Sequence, residues 1–293
     1  MSVFKKIQSE FSREKFREQA LPLIRLALAE DIGAGDITSK AIVAPGRLAR
    51  CIIKAKEELV VCGLWAIELV FEELDKNITV KSFVQEGTVL KREDMVCSIE
   101  GPAGAILAGE RTALNFLQHL SGIAGKTRQF VKLLEGTHTC LLDTRKTTPG
   151  LRWLEKYAVK TGGGTNHRMG LYDMYLIKDN HISLAGSVRE AIRLVRSHNK
   201  NKLMVEVECR SIDQVKEAWE EYADVIMLDN MDDLHLKEAR RLAVDRCLLE
   251  ASGNITAGRI KNIARIGIDY ISSGALTHSA PAADYSLLFA EQK

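Results

Sequence analysis

The chain has 293 residues, 46% of them hydrophobic and 27% charged, with 41 basic residues set against 39 acidic ones. That length suffices for one barrel-sized domain and a smaller companion, and the near-cancelling charge argues against a nucleic acid or an anionic membrane surface as the principal ligand. No apolar run approaches the ~20 residues of a membrane span, and the charged opening MSVFKKIQSEFSREKF lacks a signal-peptide core, so a cytoplasmic protein is expected.

In chain order, residues 1–30 read as helical, with Pro22 suited to a first turn and Leu23, Ile24, Leu26, Ala27 and Leu28 forming an apolar face. From Arg47 to Glu100 the pattern shifts to short β-branched runs at 51–54, 59–62, 78–84 and 95–99, with a helix-like interlude at 65–74. An antiparallel sheet with helices, an α+β domain, follows from that mixture. A long helix is expected over 104–135, broken near Gly122 to Gly125.

Beyond it the rhythm becomes strand, polar strand end, helix. Asp143, Lys178, Glu208, Asp229, Ser252 and Ser272 each close an apolar run. The last four are spaced by one strand plus one helix with short loops, which predicts parallel βα units. Six or seven units are visible where a full barrel has eight, so an incomplete α/β barrel is expected, with a doubly wound open sheet as the alternative. In either case the polar residues share the carboxyl ends of the strands, where such folds assemble their sites.

Four constellations fall there. The segment DTRKTTPG at 143–150, continuing to Arg152, gathers Arg145, Lys146 and Arg152 in a turn-rich loop, as suits a ligand carrying more than one negative charge; a solvated loop is the plain alternative. GGGTNHR at 162–168 places His167 and Arg168 beside glycines whose amides can approach an anion, and Lys178 ends the next strand. Glu208 and Asp229 are carboxylates at successive strand ends; they suit magnesium or ribose hydroxyls, or else a structural ion pair with the basic residues. Finally, the turns Ser252, Gly253, Asn254 and Ser272, Ser273, Gly274 follow late strands, where backbone N–H groups often hold a phosphate. Asn230 beside Asp229 offers one more polar contact. The scattered cysteines 51, 62, 97, 140, 209 and 247 form no CxxC pair and read as reduced core thiols. His119, His138, His198, His235 and His278 lack zinc-site spacing and read as structural.

Taken with EDIGAGDIT at 30–38, ERTALN at 110–115, HLSGIA at 119–124, KDNH at 178–181, EVE at 206–208, LDN at 228–230, EASGNI at 250–255 and ISSGALT at 271–277, these segments resemble the quinolinate phosphoribosyltransferase (nicotinate-nucleotide pyrophosphorylase) family in order along almost the whole chain. One departure is Gly125, where a threonine is expected. The resemblance implies an N-terminal α+β sandwich over 1–112, a barrel over 113–276 and a segment 277–293 returning to the sandwich. It further implies a magnesium-dependent, decarboxylating transfer of the phosphoribosyl group of 5-phosphoribosyl 1-pyrophosphate to quinolinate, a step of NAD biosynthesis. By the same resemblance Arg145, His167 and Arg168 hold the diacid with Lys146 and Lys178 lining the pocket, and Arg111 enters from the partner of a homodimer, with a hexamer as the larger alternative. Glu208 and Asp229 face ribose and magnesium, and the two turns face the 5′-phosphate. A related transferase with another acceptor, such as the molybdenum-transport-associated homologue, and a phosphoribosyl-ligand binding protein without turnover remain as rivals.

Overall fold

A computed structural model describes Phe4, residues 11–243 and residues 246–290. Its elements, in order, are α1 (Arg13–Ile32), α2 (Ile37–Ile42), β1 (Leu48–Ala55), β2 (Leu59–Val60), α3 (Leu64–Leu74), β3 (Thr79–Ser82), β4 (Val89–Leu90), β5 (Met95–Pro102), α4 (Ala103–Lys132), β6 (Cys140–Leu142), α5 (Arg152–Thr161), β7 (Tyr175–Ile177), α6 (Asp179–Ala185), α7 (Val188–His198), β8 (Val205–Cys209), α8 (Ile212–Glu220), β9 (Val225–Asp229), α9 (Asp233–Leu242), β10 (Leu248–Ser252), α10 (Ala257–Ile266), β11 (Tyr270–Ser272), α11 (Ala275–His278) and β12 (Tyr285–Phe289). They fall into two compact units. One gathers residues 11–128, 148–163 and 279–290; the other gathers Phe4 and residues 129–147, 164–243 and 246–278.

The first unit is built on an antiparallel sheet of order β12-β1-β5-β3 and a two-stranded ribbon, β2 with β4. Its helix α1 begins at Ser12, whose hydroxyl accepts from the Lys15 N–H, as an N-cap should. Pro22, expected in a first turn, lies well inside that helix. Buried Phe16 and Tyr157 meet Trp65 and Trp153 with ring centroids 5.3–6.1 Å apart, an aromatic cluster that ties α1, α3 and α5 together.

The expected break in the long helix is absent: α4 runs unbroken through Gly122 and Gly125. Gly122 is there for proximity, because a Cβ on it would lie 2.0 Å from the Pro281 carbonyl oxygen. Glycine is thus serving close backbone approach, and the helix bears its lower propensity without interruption.

The second unit is a parallel sheet of order β6-β11-β10-β9-β8-β7. The first strand pairs with the last, and the others follow in sequence order without reversal. That is the order of a barrel, whereas a doubly wound sheet reverses at an internal strand. Thr165 forms a lone parallel bridge to Leu142, so a seventh position exists as a fragment outside β6 and the barrel is incomplete. Strand alternation then sorts the side chains. Phe4, Leu142, Met174, Val225 and Tyr270 form an apolar cluster, while further along the strands Thr144, Asp229 and Ser272 follow Leu142, Val225 and Tyr270 at even spacing and turn polar.

Candidate active site

At the carboxyl ends of the strands the second unit holds a cavity of about 390 Å³, lined by Arg145, Lys146, His167, Arg168, Lys178, Glu208, Asp229, Ser252 and Ser272, with Thr144, Leu176, Arg210, Met227 and Glu250 completing it. Nine residues chosen from the sequence therefore share one concavity. Gly253, Asn254, Ser273 and Gly274 are not among its lining residues, and Arg111 is exposed on α4 of the other unit.

The basic wall is assembled from β6. Asp143, fully buried at the end of that strand, accepts the Asn166 amide (2.6 Å) and the His167 backbone N–H (2.9 Å). This pins residues 165–168 alongside β6 and directs His167 and Arg168 inward. Asp173 secures the following turn by accepting the N–H groups of Met169 and Gly170. Arg168 donates to the Met174 carbonyl at 3.4 Å, but its Nε, like that of Arg145, is buried without a hydrogen-bond partner among the described residues. The Arg168 pKa is lowered, first by burial and then by the charge of Arg145. Two guanidinium groups repelling each other in a cavity, each with an unused donor, form a site for an anion.

Below them lies a cluster the sequence reading did not single out. Glu206 and Glu250 are completely buried, and His167 Nε2 sits 3.0 Å from Glu206 Oε2 and 3.4 Å from Glu250 Oε2. Burial alone lowers the His167 pKa, but the two carboxylates outweigh it and raise it to about 10. Burial, and then the Glu250 charge, push the Glu206 carboxyl upward. The Arg168 N–H lies 2.7 Å from His167 Nδ1, which disfavours a second ring proton. The proton therefore belongs to the coupled His167 and Glu206 pair, both of which are shifted upward, and not to one member of it. The signal was in the sequence: Glu206 and Glu250 stand two residues before Glu208 and Ser252, and strand periodicity puts each pair on one face. The three ligand atoms lie within 4.8 Å of one another, so among the described residues this trio has the donor types and spacing of a cation site.

On the acidic wall Lys178 donates to Glu208 Oε2 at 3.1 Å, and Arg210 reaches Asp229 Oδ2 at 3.2 Å and Glu208 Oε1 at 3.6 Å. One guanidinium spans both carboxylates, Nε to Asp229 and an Nη to Glu208, so the two lie on one wall of the cavity, and carboxylate oxygens are the hard donors that magnesium takes. Asn230 adopts φ 55° and bridges the loops: its amide donates to Asp229 Oδ1 at 3.0 Å and its carbonyl accepts from Asn254 at 3.1 Å. Ser272 and Ser252 hydroxyls meet at 3.0 Å, while the Ser273 N–H is committed to the Leu142 carbonyl.

Models of two domains match the chain: quinolinate phosphoribosyl transferase, N-terminal domain, over residues 36–121, and the C-terminal domain of the same enzyme over 123–288. The chain is 41% identical over 269 residues to a probable nicotinate-nucleotide pyrophosphorylase [carboxylating] of Bacillus subtilis, covering 92% of this chain and 93% of that one. It is 42% identical over 284 residues to a quinolinate phosphoribosyltransferase [decarboxylating] of Nicotiana glauca, covering 90% and 80%. Among solved structures, the nicotinate-nucleotide pyrophosphorylase of Francisella tularensis superposes with TM-score 0.90 at 38% identity over 96% of this chain and 98% of that one; that of Ehrlichia chaffeensis gives 0.89 at 38% over 96% and 100%. On matches spanning both domains, and on an anion cavity built from the expected strand ends, the chain belongs to the quinolinate phosphoribosyl transferase family.

Proposed function

We propose that the protein transfers the phosphoribosyl group of 5-phosphoribosyl 1-pyrophosphate to the ring nitrogen of quinolinate, with loss of the 2-carboxylate, giving nicotinate mononucleotide, pyrophosphate and carbon dioxide for NAD biosynthesis. The observation that carries the substrate assignment is the pair of half-buried Arg145 and buried Arg168, close enough to repel and each with a buried, unused Nε donor. A diacid answers both, whereas a monoacid leaves one charge unmatched.

Arg145 and Arg168 bind the two carboxylates; His167, whose ring nitrogens face the Arg168 N–H and the buried Glu206 and Glu250, serves the diacid by positioning Arg168 and by its charge, and Lys146 and Lys178 add positive charge around them. Glu208 and Asp229 face the ribose, where they favour the oxocarbenium character that develops as the C–O bond to pyrophosphate breaks and the ring nitrogen closes on the same carbon. They are also the residues that would hold magnesium, which when bound neutralises charge on the departing pyrophosphate. Ser252 and Ser272, with the Gly253, Asn254, Ser273 and Gly274 turns behind them, serve the 5′-phosphate. Once the nitrogen is cationic, the electron pair left by departing carbon dioxide is stabilised beside N⁺, and a proton at that carbon completes the product. In this reading the working form is a homodimer, with Arg111 of each subunit serving its neighbour's cavity, and a hexamer is the larger assembly of the same pairs.

The test is to supply the protein with magnesium, 5-phosphoribosyl 1-pyrophosphate and quinolinate labelled in the 2-carboxylate. Labelled carbon dioxide and pyrophosphate should appear in equal amounts. Turnover of nicotinate in place of quinolinate would overturn the substrate assignment.

A further inference from the structure

Arg210 was no candidate in the sequence, where it stands one residue past β8 in an otherwise ordinary turn. Its guanidinium reaches the acidic residues at the ends of three consecutive strands: Asp179 Oδ2 at 3.0 Å, Asp229 Oδ2 at 3.2 Å and Glu208 Oε1 at 3.6 Å. Its backbone N–H is anchored to Gln214 at 2.7 Å, yet its side chain is 57% exposed. The stem is therefore fixed at its root, while the side chain that carries the charge borders solvent. Lys178 holds the other oxygen of Glu208, so both carboxylates assigned above to ribose and metal are already neutralised by side chains of the chain itself.

A guanidinium and a divalent cation cannot use the same oxygens together, since like charges a few ångströms apart repel. We propose that Arg210 is a displaceable counter-ion for Glu208 and Asp229. It occupies their cation-binding locus in the free protein, suppresses metal binding there, and turns to the pyrophosphate oxygens when the substrate arrives with its metal. Cation and phosphoribosyl pyrophosphate are thereby coupled: each removes the obstacle to the other, and the coupling is reciprocal. Guanidinium suits both stations, because its planar fork serves a carboxylate pair and a phosphate alike. This inference rests on the proposal that Glu208 and Asp229 are the metal-holding residues.

The experiment uses the full chain and Mn²⁺ as a paramagnetic probe, with water-proton relaxation reporting bound metal in the absence of substrate. Arg210→Ala should bind Mn²⁺ about three- to tenfold more tightly than the unaltered protein, the scale of one or two partly exposed charge contacts. Arg210→Gln, which keeps most of the stem, should behave likewise, and Asp229→Asn placed in either background should abolish the gain. Inorganic pyrophosphate should bind the Mn²⁺-loaded Arg210→Ala protein more weakly than it binds the loaded unaltered protein. Equal Mn²⁺ affinities with and without Arg210, at a site still sensitive to Asp229→Asn, would overturn the counter-ion role while leaving the metal assignment standing. No Asp229-dependent Mn²⁺ site in any variant would remove the metal assignment and this inference with it.

Discussion

Arg145 and Arg168 are held where each makes the other less comfortable, and only a bound anion resolves the conflict. Arg145→Lys keeps the charge but loses the fork. Its KM for quinolinate should rise about tenfold or more while kcat changes far less, a split that steady-state kinetics at varied quinolinate would show. The charges beneath them predict a stability effect. His167→Ala leaves the buried Glu206 and Glu250 without their imidazole partner, a loss on the order of 3 kcal/mol for a broken buried pair, measurable by urea denaturation at neutral pH. Adding Glu250→Gln should return part of that loss, because the remaining carboxylate is then relieved of its neighbour's charge. At this scale the sequence was readable wherever a polar residue ended an apolar run, as Asp143, Lys178 and Asp229 do. It was mute for Arg210, since an arginine in a surface turn looks the same whether it faces water or three carboxylates.

Elements show the same contrast between pattern and contact. The apolar periodicity of α4 was plain in the sequence, but its glycines carried two meanings. Only the chain returning at Pro281, remote in sequence, decides that Gly122 is a point of approach instead of a break. The usual gain of roughly 1 kcal/mol from replacing a helical glycine by alanine should therefore reverse: Gly122→Ala should lower the thermal midpoint, because the obstructing atom is a backbone oxygen that cannot rotate away. A second remote contact caps α3. Glu86 accepts the N–H groups of Gly63 and Leu64 at 2.8–3.1 Å, and burial, only partly offset by those donors, pushes its carboxyl up to about 7. A folded-state pKa above the unfolded value means that the native protein binds the extra proton. This stability contribution is complete below about pH 4.3, the unfolded value, and is lost as pH rises through about 7. Melting curves between pH 5 and 8 should show a decline with pH that is shallower in Glu86→Gln.

For the whole molecule, the repeated strand, polar end and helix announced a parallel sheet and the edge on which its polar residues meet. An incomplete barrel was the expected form, with an open sheet as its alternative, but the closing pair itself was not legible, because no local pattern says that the strand ending at Leu142 will lie beside the one ending at Ser272; that pairing depends on contacts more than 120 residues apart. Nor does a sequence say which copy of a chain supplies a residue. Arg111 is exposed on α4, while the cavity is lined by residues of the barrel unit alone. If it acts on the neighbour, its loss and a loss inside the cavity should complement each other. Arg111→Ala and Lys178→Ala proteins are each expected to be nearly inactive. Mixed, dissociated and reassociated at random, they form heterodimers in which one of the two sites has an intact cavity and an intact partner arginine, so about a quarter of all sites should recover. An arginine acting within its own subunit predicts no recovery at any ratio, because every cavity would then carry one lesion or the other. Activity measured across mixing ratios should accordingly peak near equal amounts and fall to the single-variant level at both ends.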